Sequence, residues 1–159
     1  MEKQQLPPRR KKYGLRKEER LSGRTMVNAL FREGAAITCY PLRCIYSFYG
    51  RERLEGMFRS FDASRTAPLQ MMVSVPKKKR RHAVDRVLMR RRIREAGRLG
   101  RLPLEEAVAA KEGLFSMSVA FVYMAERNHS YAKIEARMGE ILERLVTEAA
   151  AKQINPDEE

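Results

Sequence analysis

The chain has 159 residues and carries 33 Lys/Arg against 20 Asp/Glu, a formal charge of +13 with a pI near 10.2. That length suits one domain plus tails, and that charge implies a polyanionic partner, nucleic acid before an anionic membrane surface. No apolar run reaches the roughly 18 residues of a membrane span, the N-terminus lacks the apolar middle of a signal peptide, and Cys39 and Cys44 are too few and too close for a disulfide framework or a metal site. A reducing cytoplasm is the compartment these absences imply. On one strand the odd separation of the two cysteines sets them on opposite faces, as small buried or half-buried residues.

Residues 1–14 hold Arg9, Arg10, Lys11 and Lys12 behind Pro7-Pro8 and little to bury, the composition of a disordered basic arm able to touch phosphates. Between Ser22 and Phe31 the spacing of Met26, Val27, Leu30 and Phe31 predicts a short helix, with Ser22 or Thr25 as cap and Gly34 placed as a C′ glycine. Leu42 to Tyr49 predicts a strand in which Leu42, Cys44, Tyr46 and Phe48 alternate with Arg43, Ile45, Ser47 and Tyr49. Aromatics fall on both of its faces, which leaves one face for something besides the core. Arg51 to Pro68 reads as a long hairpin connection with a strand around Met57 to Phe61. Leu69 to Val75 is a further strand, ended by Pro76.

The stretch from Val75 to Arg101 organises the chain. It contains twelve Lys/Arg against only Asp85 and Glu95. Such a run repels itself unless something polyanionic lies against it. Lys77, Lys78, Lys79, Arg80 and Arg81 form a loop, and a helix runs from Asp85 to about Leu99. At about 100° per residue, Arg86, Arg90, Arg94 and Arg98 follow one ridge with Arg91 and Arg101 beside it. Met89, Ile93 and Ala96 form an apolar stripe on the other side. Val87 falls inside the basic face, where folding asks for no valine. Too few acidic side chains are interleaved to offset the repulsion, so the arginine side is read as a nucleic-acid surface.

Pro103 to Glu112 predicts a short helix with proline in its first turn and Gly113 past its end. Leu114 to Met124 is the cleanest strand, Phe115, Met117, Val119, Phe121 and Tyr123 alternating with smaller residues. A long amphipathic helix follows from Tyr131 to about Ala150, with Ser130 as N-cap and Ile134, Met138, Ile141, Leu142, Leu145 and Val146 as its buried stripe. Residues 151–159 form an acidic tail. The result is a single α+β domain over residues 15–150, a small mixed sheet covered by helices in the order α-β-β-β-α-β-α.

Catalytic groups are scarce. His82 and His129 fall in loops or at helix starts, and neither a metal-ligand set nor a glycine-rich phosphate loop is present. Asp85 is accounted for by its position near a helix N-terminus. No residue is assigned as catalytic and none as a metal ligand.

The run SVPKKKRRHAVDRVLMRRRIREA resembles the signature of the bacterial ribonuclease P protein subunit, Ala-Val-x-Arg-Asn-Arg-x-Lys-Arg-x-x-Arg-Glu after a strand and a lysine pair. Ala83, Val84, Arg86, Arg90, Arg91, Arg94 and Glu95 match it. Leu30 to Gly34 followed by Tyr40-Pro41-Leu42 resembles the family's first helix and strand, and Val119 to Tyr123 followed by Ser130-Tyr131 resembles its end. The likeness runs from about Leu15 to Ala150. Val87-Leu88 stand where the family has Asn-Arg, and the 51–68 connection is longer than usual.

The resemblance implies that a partner RNA is the catalyst and the protein its cofactor, in an endoribonuclease that removes the 5′ leader of precursor tRNA with Mg²⁺ held mainly by RNA. It implies that the arginine helix meets the RNA subunit, that the helix joins parallel strands by a left-handed crossover, and that the protein alone is a monomer. It also implies a leader cleft between the first helix and the sheet, with Val27, Phe31, Ile45 and Tyr46 as candidates; Val27 stands where phenylalanine is common. The alternatives are a ribosomal or general RNA-binding protein with no part in cleavage, and a self-sufficient nuclease.

Overall fold

The computed structural model describes residues 15–58, 61–62 and 66–152. The basic arm and residues 153–159 of the acidic tail lie outside the described residues.

After a 3-10 turn at Lys17–Glu19, α1 spans Arg24–Glu33 and buries Met26, Ala29 and Leu30. Its N-cap is neither Ser22 nor Thr25. Gly23 holds that position at φ 94°, a backbone geometry that glycine alone adopts freely. Gly34 follows the helix as expected, but its φ of −70° shows that space is the reason for glycine here. A Cβ on it would meet the Leu30 carbonyl oxygen at 2.5 Å and Ile45 Cγ2 at 2.8 Å.

β1 (Ala35–Cys39) and β2 (Leu42–Tyr49) form an antiparallel hairpin that pairs Cys39 with Leu42 and Ile37 with Cys44. β1 leaves almost no strand signal in the sequence, since it has two alanines and a single buried residue, Ile37. The hairpin also reverses the reading of the cysteines. The turn at Tyr40-Pro41 puts Cys39 in register with Leu42, so both cysteines face the same side of the sheet, Cys44 buried and Cys39 half-buried.

α2 (Arg51–Met57) stands where a hairpin connection was expected. Of the strand expected around Met57 to Phe61, Met57 closes α2, Phe58 and Phe61 belong to no strand, and the two residues between lie outside the described residues. β3 (Leu69–Ser74) is not the partner of β2. Strand β4 (Ser116–Tyr123) inserts between them, antiparallel to β2 and parallel to β3, giving the order β1-β2-β4-β3. Helices α3 (Ala83–Gly100) and α4 (Leu102–Ala110) connect the two parallel strands, and α5 (Tyr131–Ala151) closes the fold. Ser130 caps α5 as expected, its hydroxyl accepting from Lys133 N at 3.2 Å.

Both faces of the sheet are used. Leu42, Cys44 and Tyr46 of β2 join Met117, Val119 and Phe121 of β4 in a core with Met89, Ile93 and Ala96 of α3 and Ile134, Met138 and Ile141 of α5. The opposite face carries a smaller cluster in which Tyr49 and Ala120 meet Met26 and Leu30 of α1 and Leu54 of α2. Every β4 residue except Val122 is buried, as befits a strand paired on both edges and covered on both faces.

Arg101 occupies the joint between α3 and α4 at 1% exposure. Its guanidinium lies 3.3 Å from Glu19 and 3.5 Å from Glu105, and donates to the Arg98 carbonyl at 2.7 Å. A buried charge of this kind is held only while its partners are in place. Arg101→Ala is expected to lower the unfolding free energy by about 3–5 kcal/mol in a urea titration. Leu30→Ala, which empties a fully buried site between α1 and the sheet, is expected to lower it by about 2–5 kcal/mol by the same measurement.

Candidate nucleic-acid interface

Helix α3 begins two residues earlier than predicted, at Ala83 with His82 before it. Its buried residues are Met89, Ile93, Ala96 and Gly97, the predicted stripe plus a glycine. Gly97 rests against the sheet and α5: a Cβ there would lie 2.9 Å from Met71 Cε and 3.7 Å from Met138 Cε. That contact fixes which residues turn outward.

The basic residues divide into two groups. Arg90, Arg91 and Arg94 have no carboxylate partner among the described residues, and Arg91 and Arg94 are exposed. Lys77 and Lys78 are exposed in the turn that precedes the helix, where Lys79 N and Arg80 N both donate to the Pro76 carbonyl. Arg81 is exposed beside them.

Other guanidinium groups are spent inside the protein. Arg80 pairs with Asp85 at 2.9 Å and donates to the Glu126 carbonyl. Arg86 reaches back to the carbonyls of Arg80 and Arg81, at 3.0 and 2.7 Å, and so knits the basic loop onto the helix. Arg92 donates to the His129 carbonyl. Arg98 binds Glu95 through two bonds, and that bond draws the Glu95 carboxyl below its ordinary range. Arg101 is a correction to the wheel: its position on α3 led to the basic face, but the chain turns into α4 there and carries the side chain into the interior.

Asp85 does more than face a helix terminus. It accepts from the Asn128 amide at 3.0 Å, and this bond, followed by the attraction of Arg80, holds its carboxyl below the usual carboxylate range. The ionised form therefore anchors the 126–130 loop at neutral pH, and the anchor is lost as pH falls through that lowered value. His129 sits in the same loop, edge-on to Tyr40 and Tyr123. Burial, then Arg127 and Lys133, push its imidazole pKa down, which favours the neutral ring. Among the described residues no three His, Cys, Asp or Glu side chains are grouped to hold a metal.

The leader-cleft candidates do not all share a surface. Val27 and Ile45 are half-buried against the α1–α2 cluster, and Phe31 is 45% exposed on α1. Tyr46 lies on the other side of the sheet, buried in the main core and edge-on to Phe48. Burial there raises its hydroxyl pKa. Adjacent residues of one strand point to opposite faces, so Ile45 and Tyr46 cannot line one cleft; the alternation of β2 already carried that signal. The same parity points to Arg43, exposed on the Ile45 face, which the sequence reading passed over. Beside it Val122 and Ser74 are only half-buried, so this end of the face is left uncovered while Tyr49 and Ser116 at the other end are fully buried. Leu15 and Arg20, which stand across from the free arginines of α3, had no signal in the sequence at all.

Residues 15–146 match the family model described as Ribonuclease P. Two curated relatives, each named ribonuclease P protein component and coming from two strains of Porphyromonas gingivalis, are 33% identical over 133 residues, which covers 84% of this chain and 87% of theirs. The match over residues 15–146 takes in the whole of the arginine helix and the sheet it packs on, and the chain belongs to the ribonuclease P protein family.

Proposed function

We propose that the chain works as the protein subunit of a ribonuclease P holoenzyme in the cytoplasm, a monomer until it meets its RNA. Arg90, Arg91 and Arg94, with Lys77, Lys78 and Arg81 of the preceding loop, bind the phosphates of the RNA subunit. The open part of the sheet beside α1, with Val27, Phe31, Ile45 and Arg43, takes the single-stranded 5′ leader of precursor tRNA. Catalysis belongs to the RNA and to Mg²⁺ held mainly by it.

The observation that carries this reading is the division of α3. Its apolar side is fully engaged, so the arginines cannot turn inward, and three of them find no acidic partner among the described residues. Cations left unneutralised at such density favour a polyanion. Phosphate contacts release counterions and give affinity that falls steeply with salt. At the leader surface Phe31 offers a ring for a base to stack on, whereas Val27 and Ile45 offer only apolar contact.

The double variant Arg90→Ala/Arg91→Ala is expected to weaken binding to the ribonuclease P RNA and to flatten its log–log salt dependence by about one unit per lost phosphate contact. Unchanged affinity and slope would show that α3 is not the RNA surface. The parent protein, added to the RNA subunit and precursor tRNA at low Mg²⁺, is expected to rescue 5′ cleavage; a general RNA-binding protein would bind without rescue. Phe31→Ala is expected to weaken precursor binding by about 1–3 kcal/mol while leaving affinity for leaderless tRNA unchanged, as read by fluorescence titration of the two RNAs.

A further inference from the structure

The first described residues lean over α3 and leave two adjoining cavities. One, of about 400 Å³, lies between Leu15 and Arg20 on one side and Val87, Arg90, Arg91 and Arg94 on the other. The second, of about 440 Å³, lies at the outer edge of β3 against Leu21, Met72 and Val73, and shares Leu15, Arg20 and Arg94 with the first. Both volumes fall within the ~300–1,000 Å³ of small-ligand clefts.

The shared residues supply two guanidinium groups, Arg20 and Arg94, neither with a carboxylate partner among the described residues. Away from that junction Val87, 47% exposed, lies among Arg90, Arg91, Glu95 and Arg98 in the first cavity, and the second is lined by Leu21, Met71, Met72 and Val73 with Ser22. The carboxylate at the rim, Glu95, is bonded to Arg98 and its charge is offset. Val87 interrupts a basic face without serving the core, and the first cavity accounts for it.

We propose that the two cavities form a site for two consecutive unpaired nucleotides of single-stranded RNA, running round the edge of β3. The phosphate between the nucleotides lies on Arg20 and Arg94. One base rests on Leu15 and Val87, the other on Leu21 and Met72, where a polarisable thioether suits a ring. A duplex does not fit this pattern, because its bases are stacked and paired and cannot enter separate recesses. No aromatic side chain lines either cavity, so the bases are held by apolar contact rather than by ring stacking. The inference rests on α3 facing RNA, which the Arg90/Arg91 variant tests with the ribonuclease P RNA, whereas Val87→Ser with pentaadenylate tests this site.

The test uses the full chain and a labelled pentaadenylate, titrated by fluorescence anisotropy over a salt series, beside an abasic ribose-phosphate pentamer and a five-base-pair duplex. All variants are made in a Phe31→Ala/Arg43→Ala background, which removes the stacking ring and the cation of the α1 surface from the measurement. Val87→Ser and Met72→Ser are each expected to weaken pentaadenylate binding roughly three- to tenfold with an unchanged salt slope, since they remove apolar contact alone. Arg94→Ala is expected to reduce the slope by about 0.7. Val87→Ser leaves the abasic pentamer unaffected. Because Val87 is exposed, its variant stays interpretable even where Met72→Ser perturbs folding. Equal binding of the abasic pentamer and pentaadenylate by the parent, or of pentaadenylate by Val87→Ser and the parent, overturns the proposal. So does tighter binding of the duplex.

Discussion

The rotation of α3 about its own axis is the constraint on which the rest depends. Gly97 sits against Met71, Phe121 and Met138, where an added Cβ would come within 2.9 Å of the Met71 terminal methyl. With Met89, Ile93 and Ala96 it fastens one face of the helix to the sheet and to α5. Turning the helix far enough to shield its arginines would pull those groups out of the core, and each fully buried apolar side chain is worth about 1.5–3 kcal/mol. The arginines are therefore held toward solvent by packing on the opposite side, which is how a repulsive charge cluster is kept ready for a partner.

Not all of that charge is available. Arg80, Arg86 and Arg92 reach backbone carbonyls, and through them the basic loop and the loop at 126–130 are bound to α3. Asp85 and Asn128 close the same joint. The rigid frame thus spends some cations to position others. Arg101 is the extreme case: buried with Glu19 and paired with the half-buried Glu105, it ties the N-terminal turn to the junction of α3 and α4. It thereby anchors the chain between Leu15 and Arg20, the residues that stand across from Arg90, Arg91 and Arg94.

The sheet separates two tasks. The face toward α3 and α5 is fully occupied and carries most of the apolar burial. The face toward α1 and α2 is covered at one end, around Tyr49 and Ser116, and open at the other, around Arg43 and Val122. Small residues on β4, Ser116, Ser118 and Ala120, lie fully buried on that face. Glu33 and Arg53 join the ends of α1 and α2, with the Arg53 guanidinium 4.9 Å from the Tyr49 ring centroid. The open surface beside α1 is then a consequence of covering only part of that face.

What the sequence determined by itself was whatever repeats locally. The 3.6-residue stripe of α3, the stripe and serine cap of α5, and the alternation of β2 and β4 are written in near neighbours, because side-chain direction along one element follows from its own geometry. The division of α3 into a core side and an arginine side was legible for the same reason, as was the family signature laid over it. Tertiary structure decided everything that depends on residues distant in the chain. Strand β1 has two alanines and exists because β2 supplies its hydrogen bonds. The insertion of β4 between β2 and β3, the shared face of Cys39 and Cys44, and the burial of Arg101 against Glu19 leave no periodic trace. Leu15 and Val87 come to wall one cavity only once the N-terminal segment has settled across α3. Periodicity reports which way a side chain points from its own backbone, whereas its partner is chosen by packing between elements, and that choice is made only in three dimensions.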